Sequence, residues 1–317
     1  MKKRMITRTL KSLLLAVLTI AMLSSVLAGC DKGGSKVEDK NRTKRFIMTS
    51  DQHDCHIEWY GVDTDTRLRL WAKAICDEHE KEPLDGIFLI GDYSLDFWQS
   101  GGSYFDRGES RTKHFIDTYL PLLPAGVPVY LVPGNHEQYD NKTWKEITGF
   151  DRYFTVEVAG ILFIMWDSFG GDLEPTYNYD GTYLPMDTAY LKKALKKYKG
   201  DTVFIVTHTF EAELESSETI DVIRHDERIK AVFSGHDHLS RIQTLIGTSI
   251  KILRTGNFSY TNYKEPRESF WGFRDLVVTK DGFSSKYIMP ACSAAVDGTN
   301  TEELPYRTGW EYSEDFG

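Results

Sequence analysis

Cysteine is scarce in this chain, with 4 in 317 residues and no Cys-x-x-Cys spacing, which excludes a small disulfide scaffold and the common cysteine-based zinc sites. Positive charge is short as well. Lys and Arg number 38 against 47 Asp and Glu, and a surface with that deficit repels long polyanions, so a duplex nucleic-acid partner is excluded. No repeat is visible, which removes solenoid and array architectures. The one long apolar run, Leu13 to Leu23, is shorter than the about 20 residues that a spanning helix prefers.

What is present is the composition of a core-forming globular protein, 41% hydrophobic and 13% aromatic. The first residues are organised differently. Lys2, Lys3, Arg4, Arg8 and Lys11 precede the apolar run, and Leu27-Ala28-Gly29-Cys30 follows it. That is the order of a secretory signal with a small-residue cleavage site. The tetrapeptide resembles the bacterial lipobox, which implies that Cys30 becomes a lipidated first residue and that the rest lies outside the cytoplasm, anchored to a bacterial membrane. With the five bases of a 1–29 leader gone, 33 basic groups face 47 acidic ones, a formal charge of −14. Residues 30–44 bury almost nothing and read as a flexible tether. A single domain is expected over 45–290, followed by a C-terminal tail, 291–317, without periodicity.

Five apolar, β-prone runs each end in polar groups. Arg45 to Ser50 hands over Asp51 and His53; Gly86 to Gly91 hands over Asp92; Val127 to Pro133 hands over Asn135, His136 and Glu137; Thr202 to Thr207 hands over His208; Ala231 to Gly235 hands over His236 and His238. In open α/β sheets ligands bind at the carboxyl ends of strands, where neighbouring loops converge. Between the runs, helical spacing predicts helices over Thr64 to Glu80, near Thr112 to Leu123, over Thr188 to Tyr198 and near Glu218 to Arg224. Ala159-Gly160 and Asp281-Gly282 predict hairpin turns. The pattern is an α/β fold of layered mixed sheets with flanking helices.

A lone histidine at a strand end is ordinarily a hydrogen-bonded core residue. Five of the chain's nine lie at these ends, beside carboxylates and one amide. That mixture suits a borderline divalent ion such as Zn, Mn or Fe, and it is too many ligands for one. Cys55, two residues past His53, reads as a small buried thiol; a disulfide among Cys55, Cys76 and Cys292 stays open.

In that order, Asp51-x-His53, Gly91-Asp92, Gly134-Asn135-His136-Glu137, His208 and Gly235-His236-x-His238 resemble the signature of the calcineurin-like metallophosphoesterases. Trp166-Asp167-Ser168 and Gly181 resemble the family's segment between its third and fourth blocks. The resemblance implies a β-sandwich flanked by helices and two metal ions, divalent or of mixed valence. One would be held by Asp51, His53 and His238, the other by Asn135, His208 and His236, with Asp92 bridging, a task suited to a carboxylate with two oxygens. It implies hydrolysis of phosphate mono- or diesters by direct attack of a metal-bridging hydroxide, on a small phosphorylated substrate, with His136 serving the leaving oxygen.

Leu95 stands where many members carry a second Asp, so Asp96, one residue on, is the candidate for orienting His136. Leu95 and His53 also depart from the purple acid phosphatase branch. Glu137 either fixes a loop or a ligand, or caps a turn at the surface. Tyr93, Phe97, Trp98 and the tyrosines 177, 179 and 183 either stack an aromatic leaving group or, preferably, pack under long loops. The alternative function is a non-catalytic metal- or phosphate-binding lipoprotein with the same fold.

Overall fold

The computed structural model describes residues 42–97, 110–170, 181–260 and 271–290, and the backbone of 311–316. The leader, Cys30 and the tether up to residue 41 lie outside the described residues, as do Trp98, Tyr177, Tyr179 and Cys292; the tether's expected end gives way to order, with Arg42 paired to Asp85 and Lys44 opening the first strand. In chain order the first elements are β1 (Lys44–Thr49), α1 (Thr64–Lys81), β2 (Gly86–Ile90), α2 (Arg111–Thr118), β3 (Val129–Val132) and α3 (Asn141–Thr148). Next come β4 (Phe154–Val158), β5 (Ile161–Trp166), α4 (Thr188–Lys197), β6 (Val203–Thr207), α5 (Ser217–His225) and β7 (Ile229–Ser234). The last are β8 (Ile242–Thr244), β9 (Lys251–Arg254), β10 (Phe273–Thr279), β11 (Gly282–Ile288) and β12 (Glu311–Phe316).

They form two six-stranded sheets, ordered β12-β11-β10-β1-β2-β3 and β4-β5-β6-β7-β9-β8. Both are mixed: β1, β2 and β3 run parallel to one another, as do β5, β6, β7 and β9, while the remaining pairings are antiparallel. Alternation along each strand decides the layers. Phe46, Met48, Phe88, Ile90, Phe163, Met165, Phe204 and Val206 meet in the core between the sheets, where the Phe88 and Phe163 rings stack at 4.1 Å. Ile47, Ile87 and Leu89 face the other way, onto Leu68, Trp71 and Ile75 of α1 and Phe115 of α2. Ile164, Ile205 and Val232 face Leu191, Leu195 and Ile223 of α4 and α5. Both sheets are thus covered on their outer faces by helices, as expected for strands that are apolar throughout.

Each helix starts where its sequence supplies a cap. Asp63, Ser110, Asp140, Asp187 and Ser216 all accept backbone N–H bonds from the first turn, a contribution of about 1 kcal/mol each. The α2 helix stops earlier than its sequence spacing predicts: the chain turns at Tyr119 and continues as a 3-10 turn over Leu120–Leu122. Pro121 is the reason, because it has no N–H to donate to the Asp117 carbonyl four residues back and its ring clashes with that carbonyl. The hairpin between β10 and β11 turns at Lys280-Asp281, one residue before the expected pair, with Thr279 opposite Gly282. The Ala159-Gly160 turn lies where expected, both residues left-handed (φ 51° and 75°), as a two-residue hairpin turn of the primed type demands.

Three elements have no counterpart in the sequence reading. Of α3 only Trp144 is buried, too little periodicity to detect. Three-residue β8 is mostly exposed, and β12 pairs along β11 as the edge of its sheet within the stretch read as tail. Among the described residues no helix is long and apolar enough to cross a membrane.

Candidate metal centre

The carboxyl ends of β1, β2, β3, β6 and β7 meet at one edge of the sandwich. Asp51 N–H donates to Gly91 O (3.1 Å) and Gly235 N–H to His208 O (2.9 Å), while His236 N–H crosses between sheets to Asp51 Oδ2 (3.0 Å). The loops make abrupt turns to do this. Asp51, His53, Asp92, His236 and His238 all hold φ between 48° and 70°; Tyr60 and Ala159 are the other two non-glycine residues with positive φ among those described. Left-handed backbone at a side chain larger than glycine is uncommon and costs about 1–3 kcal/mol, and it persists where surrounding structure enforces it. Its concentration here marks the site before any chemistry is considered. Gly91 and Gly134 are required by close approach: a Cβ on Gly134 would fall on the Asp92 carboxylate, and one on Gly91 would lie 2.6 Å from Gly134 N and His208 Nδ1.

The side chains gather into two groups, Asp51 with His53 and His238, and Asp92 with His208 and His236, each with ligand atoms within 4.8 Å of one another. Asp92 touches both, its Oδ2 lying 3.2 Å from His208 Nε2 and 3.7 Å from His53 Nε2. Asn135 belongs to the second group through Oδ1, 3.1 Å from His208 Nε2 and 3.0 Å from His236 Nδ1. Backbone carbonyls aim two of the rings. His208 Nδ1 bonds Ile90 O and His238 Nδ1 bonds Tyr260 O, both at 2.6 Å, which leaves each Nε2 facing the carboxylates.

This donor set fits cations and little else. Asp51 Oδ1 and both ring nitrogens of His53 are buried with no hydrogen-bond partner among the described residues, and an orphaned buried polar atom costs about 1–3 kcal/mol each. The charge pattern agrees. Although burial works against it, the Asp92 and Asp51 carboxylates push His208 up to about 10. His238 is raised as well, against the same burial, chiefly by Asp51. Burial, resisted by Asp51 and abetted by His238, depresses His53 to about 3. Asp51 and Asp92 lie well below the usual carboxylate range despite their burial, held there by the facing histidines. Without cations, two buried carboxylates are balanced only by protons held on histidine; a divalent ion in each group replaces those protons.

The other expected residues fall around this centre. His136 is 4% exposed, with its Nε2 3.8 Å from Asp92 Oδ2 and its backbone N–H on Asp92 Oδ1 (3.1 Å). Glu137 is buried, and its carboxylate accepts the N–H groups of Asp92, Tyr93, Ser94 and Gly134 at 2.8–3.2 Å. The surface-cap reading of Glu137 therefore gives way to the loop-fixing one. Burial and the Asp92 charge push its carboxyl up to about 8, against the pull of those donors. Asp96 sits at the head of α2, accepting from Arg111 N (2.8 Å), Thr112 N (3.0 Å) and the Tyr139 hydroxyl. Tyr93 and Phe97 are core residues, and Tyr183 bonds Glu215 at 2.5 Å, so these aromatics pack. Cys55 is a free buried thiol outside both ligand groups, and Cys76 is free as well.

Several contributors carry no sequence signal. Arg152 pairs with Asp167 (2.5 Å) and donates to the Glu137 and Tyr139 carbonyls, pinning the loop after His136. Arg67, fully buried in α1, donates to the carbonyls of Gln52, His53 (2.9 Å) and Phe258. Trp59 and Tyr260 flank His53, and Phe169 flanks His208 and His236. Such residues act through contacts distant in sequence, so no local spacing betrays them.

Comparison with solved structures returns the same architecture. A dimetal phosphatase from Danio rerio superposes with a TM-score of 0.55 at 13% identity, over 77% of this chain and 95% of that one. A purple acid phosphatase from yellow lupin (Lupinus luteus) seeds gives 0.54 at 11% identity, over 86% of this chain and 54% of that one. GAP50, described as the anchor in the inner membrane complex of Plasmodium, gives 0.50 at 14% identity, over 87% and 89%. At such identities the likeness is one of fold. No curated protein sequence matches the chain. The model of the calcineurin-like phosphoesterase family matches residues 44–240, from β1 through the last of the ligand loops, and with its motifs converging on this one edge the chain belongs to that family.

Proposed function

We propose that the chain hydrolyses phosphate esters of small molecules, with two divalent cations held by Asp51, His53 and His238 and by Asn135, His208 and His236, and with Asp92 shared between them. One observation carries the reading: Asp51 Oδ1 and the two His53 nitrogens are buried beside Asp92 with no hydrogen bond among the described residues, at the edge where the family motifs converge. When bound, the ions supply Lewis acidity toward the phosphoryl oxygens and acidify a water, so that attack on phosphorus needs no nucleophile from the protein.

The protein's own part is positioning and proton delivery. His136 stands against Asp92 with its ring toward the centre and delivers the proton to the leaving oxygen. Glu137 clamps the Asp92 and Gly134 loops together through four N–H bonds. Asp96 acts at one remove: it holds Tyr139, three residues after His136, and so fixes the loop that presents the imidazole. A non-catalytic binder with this fold, such as a structural anchor, has no use for an imidazole placed beside the ligands but outside both groups.

Purified protein loaded with Mn²⁺ is expected to release phosphate from a generic aryl phosphate, and His136→Ala to keep both metals while losing about 10²- to 10⁴-fold in turnover. Absence of turnover with two metals bound would turn the assignment to the binding protein. The leader and Cys30 add an anchor outside the cytoplasm to this proposal. Cys30→Ser should move the protein from the membrane to the soluble fraction, and an unchanged membrane fraction removes the lipid.

A further inference from the structure

The two ligand groups are bordered by different side chains. Beside the second lies Phe169, buried, with its ring 6.1 Å from His208 and 5.8 Å from His236. Beside the first stand two half-buried rings: Tyr260 at 4.5 Å from the His238 ring and 5.6 Å from His53, and Trp59 at 6.2 Å from His53. Trp59 and Tyr260 are 5.3 Å apart and tilted by 44°, an angled pair rather than a closed stack.

The pair is held in place from behind. The Arg67 guanidinium lies 4.8 Å from the centre of the Trp59 ring, and the carbonyls of Gln52, His53 and Phe258 fix that guanidinium in turn. Trp59 exchanges backbone hydrogen bonds with Val62 at 3.2 and 3.0 Å. The Tyr260 carbonyl is the one that aims His238, so the position of its backbone is set by the ligand group itself. Rings that served only to fill the core would be buried like Phe169. These keep part of their surface in solvent beside ligands that do not, and rigid, partly exposed aromatics give large contact area at small entropic cost.

We propose that Trp59 and Tyr260 form a stacking subsite for an aromatic ring carried by the phosphate ester, so that ring-bearing phosphates are selected over aliphatic ones. This deepens the phosphoesterase reading and rests on it for the position of the phosphate. The ring leans on the first ligand group's side, its edge or face against Trp59 and Tyr260, while the phosphate meets the centre.

A phosphonate pair tests the subsite without requiring turnover. Binding of phenylphosphonate and of methylphosphonate to the Mn²⁺-loaded protein is measured by calorimetry, and the wild type is expected to favour the phenyl compound by about tenfold. In Trp59→Leu and, separately, Tyr260→Leu that ratio should fall several-fold toward unity, with Trp59→Phe restoring most of it. A structural role alone would weaken both ligands together and leave the ratio intact, and that result, or a wild-type ratio near one, overturns the proposal. The kcat/KM ratio of adenosine monophosphate to ribose 5-phosphate, set beside that of phenyl phosphate to methyl phosphate, tells a nucleobase from a phenolic ring by which of the two Trp59→Leu reduces. Hydrolysis of none of these esters would sink the phosphoesterase reading while the phosphonate ratio still decides the subsite.

Discussion

In the second ligand group every donor is tied down by a neighbour: His208 to the Ile90 carbonyl, His236 and His208 to Asn135. In the first group His53 makes no hydrogen bond through either ring nitrogen among the described residues, and its loop depends on Arg67 for its shape. The first group thus joins one ring aimed by a direct hydrogen bond, His238 on the Tyr260 carbonyl, to one, His53, that is placed by the clamping of its loop, whereas both histidines of the second group are hydrogen-bonded. Arg67 reaches both loops of the first group, because Phe258, whose carbonyl it bonds, donates its own N–H to Asp51 O (3.2 Å) and lies two residues from Tyr260. Among the described residues the carbonyls that Arg67 bonds, those of Gln52, His53 and Phe258, all belong to the loops of the first group. The two ions should therefore respond differently to changes around them.

The largest effect is expected where the halves share a residue. Asp92→Asn removes the carboxylate that faces both groups, and metal analysis should find both ions lost, with turnover down by more than about 10³-fold. Retention of one tightly bound ion would mean that the halves are independent. Arg67→Met should split them: about 10- to 100-fold weaker binding of one ion, with the other kept, read as a two-step metal titration of the folded protein. Equal weakening of both ions would erase the distinction drawn between the two halves.

A smaller effect concerns protons. In the chelated protein His208 holds its proton up to about 10, against an ordinary value of 6.5, and His238 is shifted in the same direction. A histidine with a raised folded-state pKa stabilises fully below its unfolded value, and that stability is lost as pH rises through the folded one. The unfolding temperature of chelated protein should fall by at least about 2–4 °C between pH 7 and pH 10. Metal-loaded protein should lack that fall, since cations have replaced the protons. Identical curves for the two forms would place the protons elsewhere.

Much of the centre was legible because its motifs are local. A buried parallel strand is a short apolar run, and the residue that follows it stands at the sheet edge, so Asp51, Asp92, Asn135, His208 and His238 could be picked out by position alone. Glu137 was ambiguous for the opposite reason. Its four N–H donors come from two different loops, and nothing at positions 134–137 tells a surface cap from a buried clamp. Tyr93 and Phe97 could not be separated by sequence from Trp59 and Tyr260, since all are aromatics near a ligand loop; the first two lie in the core under α2 and α3, and the others border His53.

The sequence by itself determined the family, the order of the strands along the chain and the ligand types, because each is written in short apolar runs and the few residues that end them. Tertiary structure alone decided that Arg67 bonds a carbonyl 191 residues away, that Glu137 clamps two loops, and that β12 forms the edge of its sheet. The physical reason is that side-chain periodicity encodes which face a residue presents, whereas pairing across the molecule depends on how two sheets are packed together, and no local spacing records that.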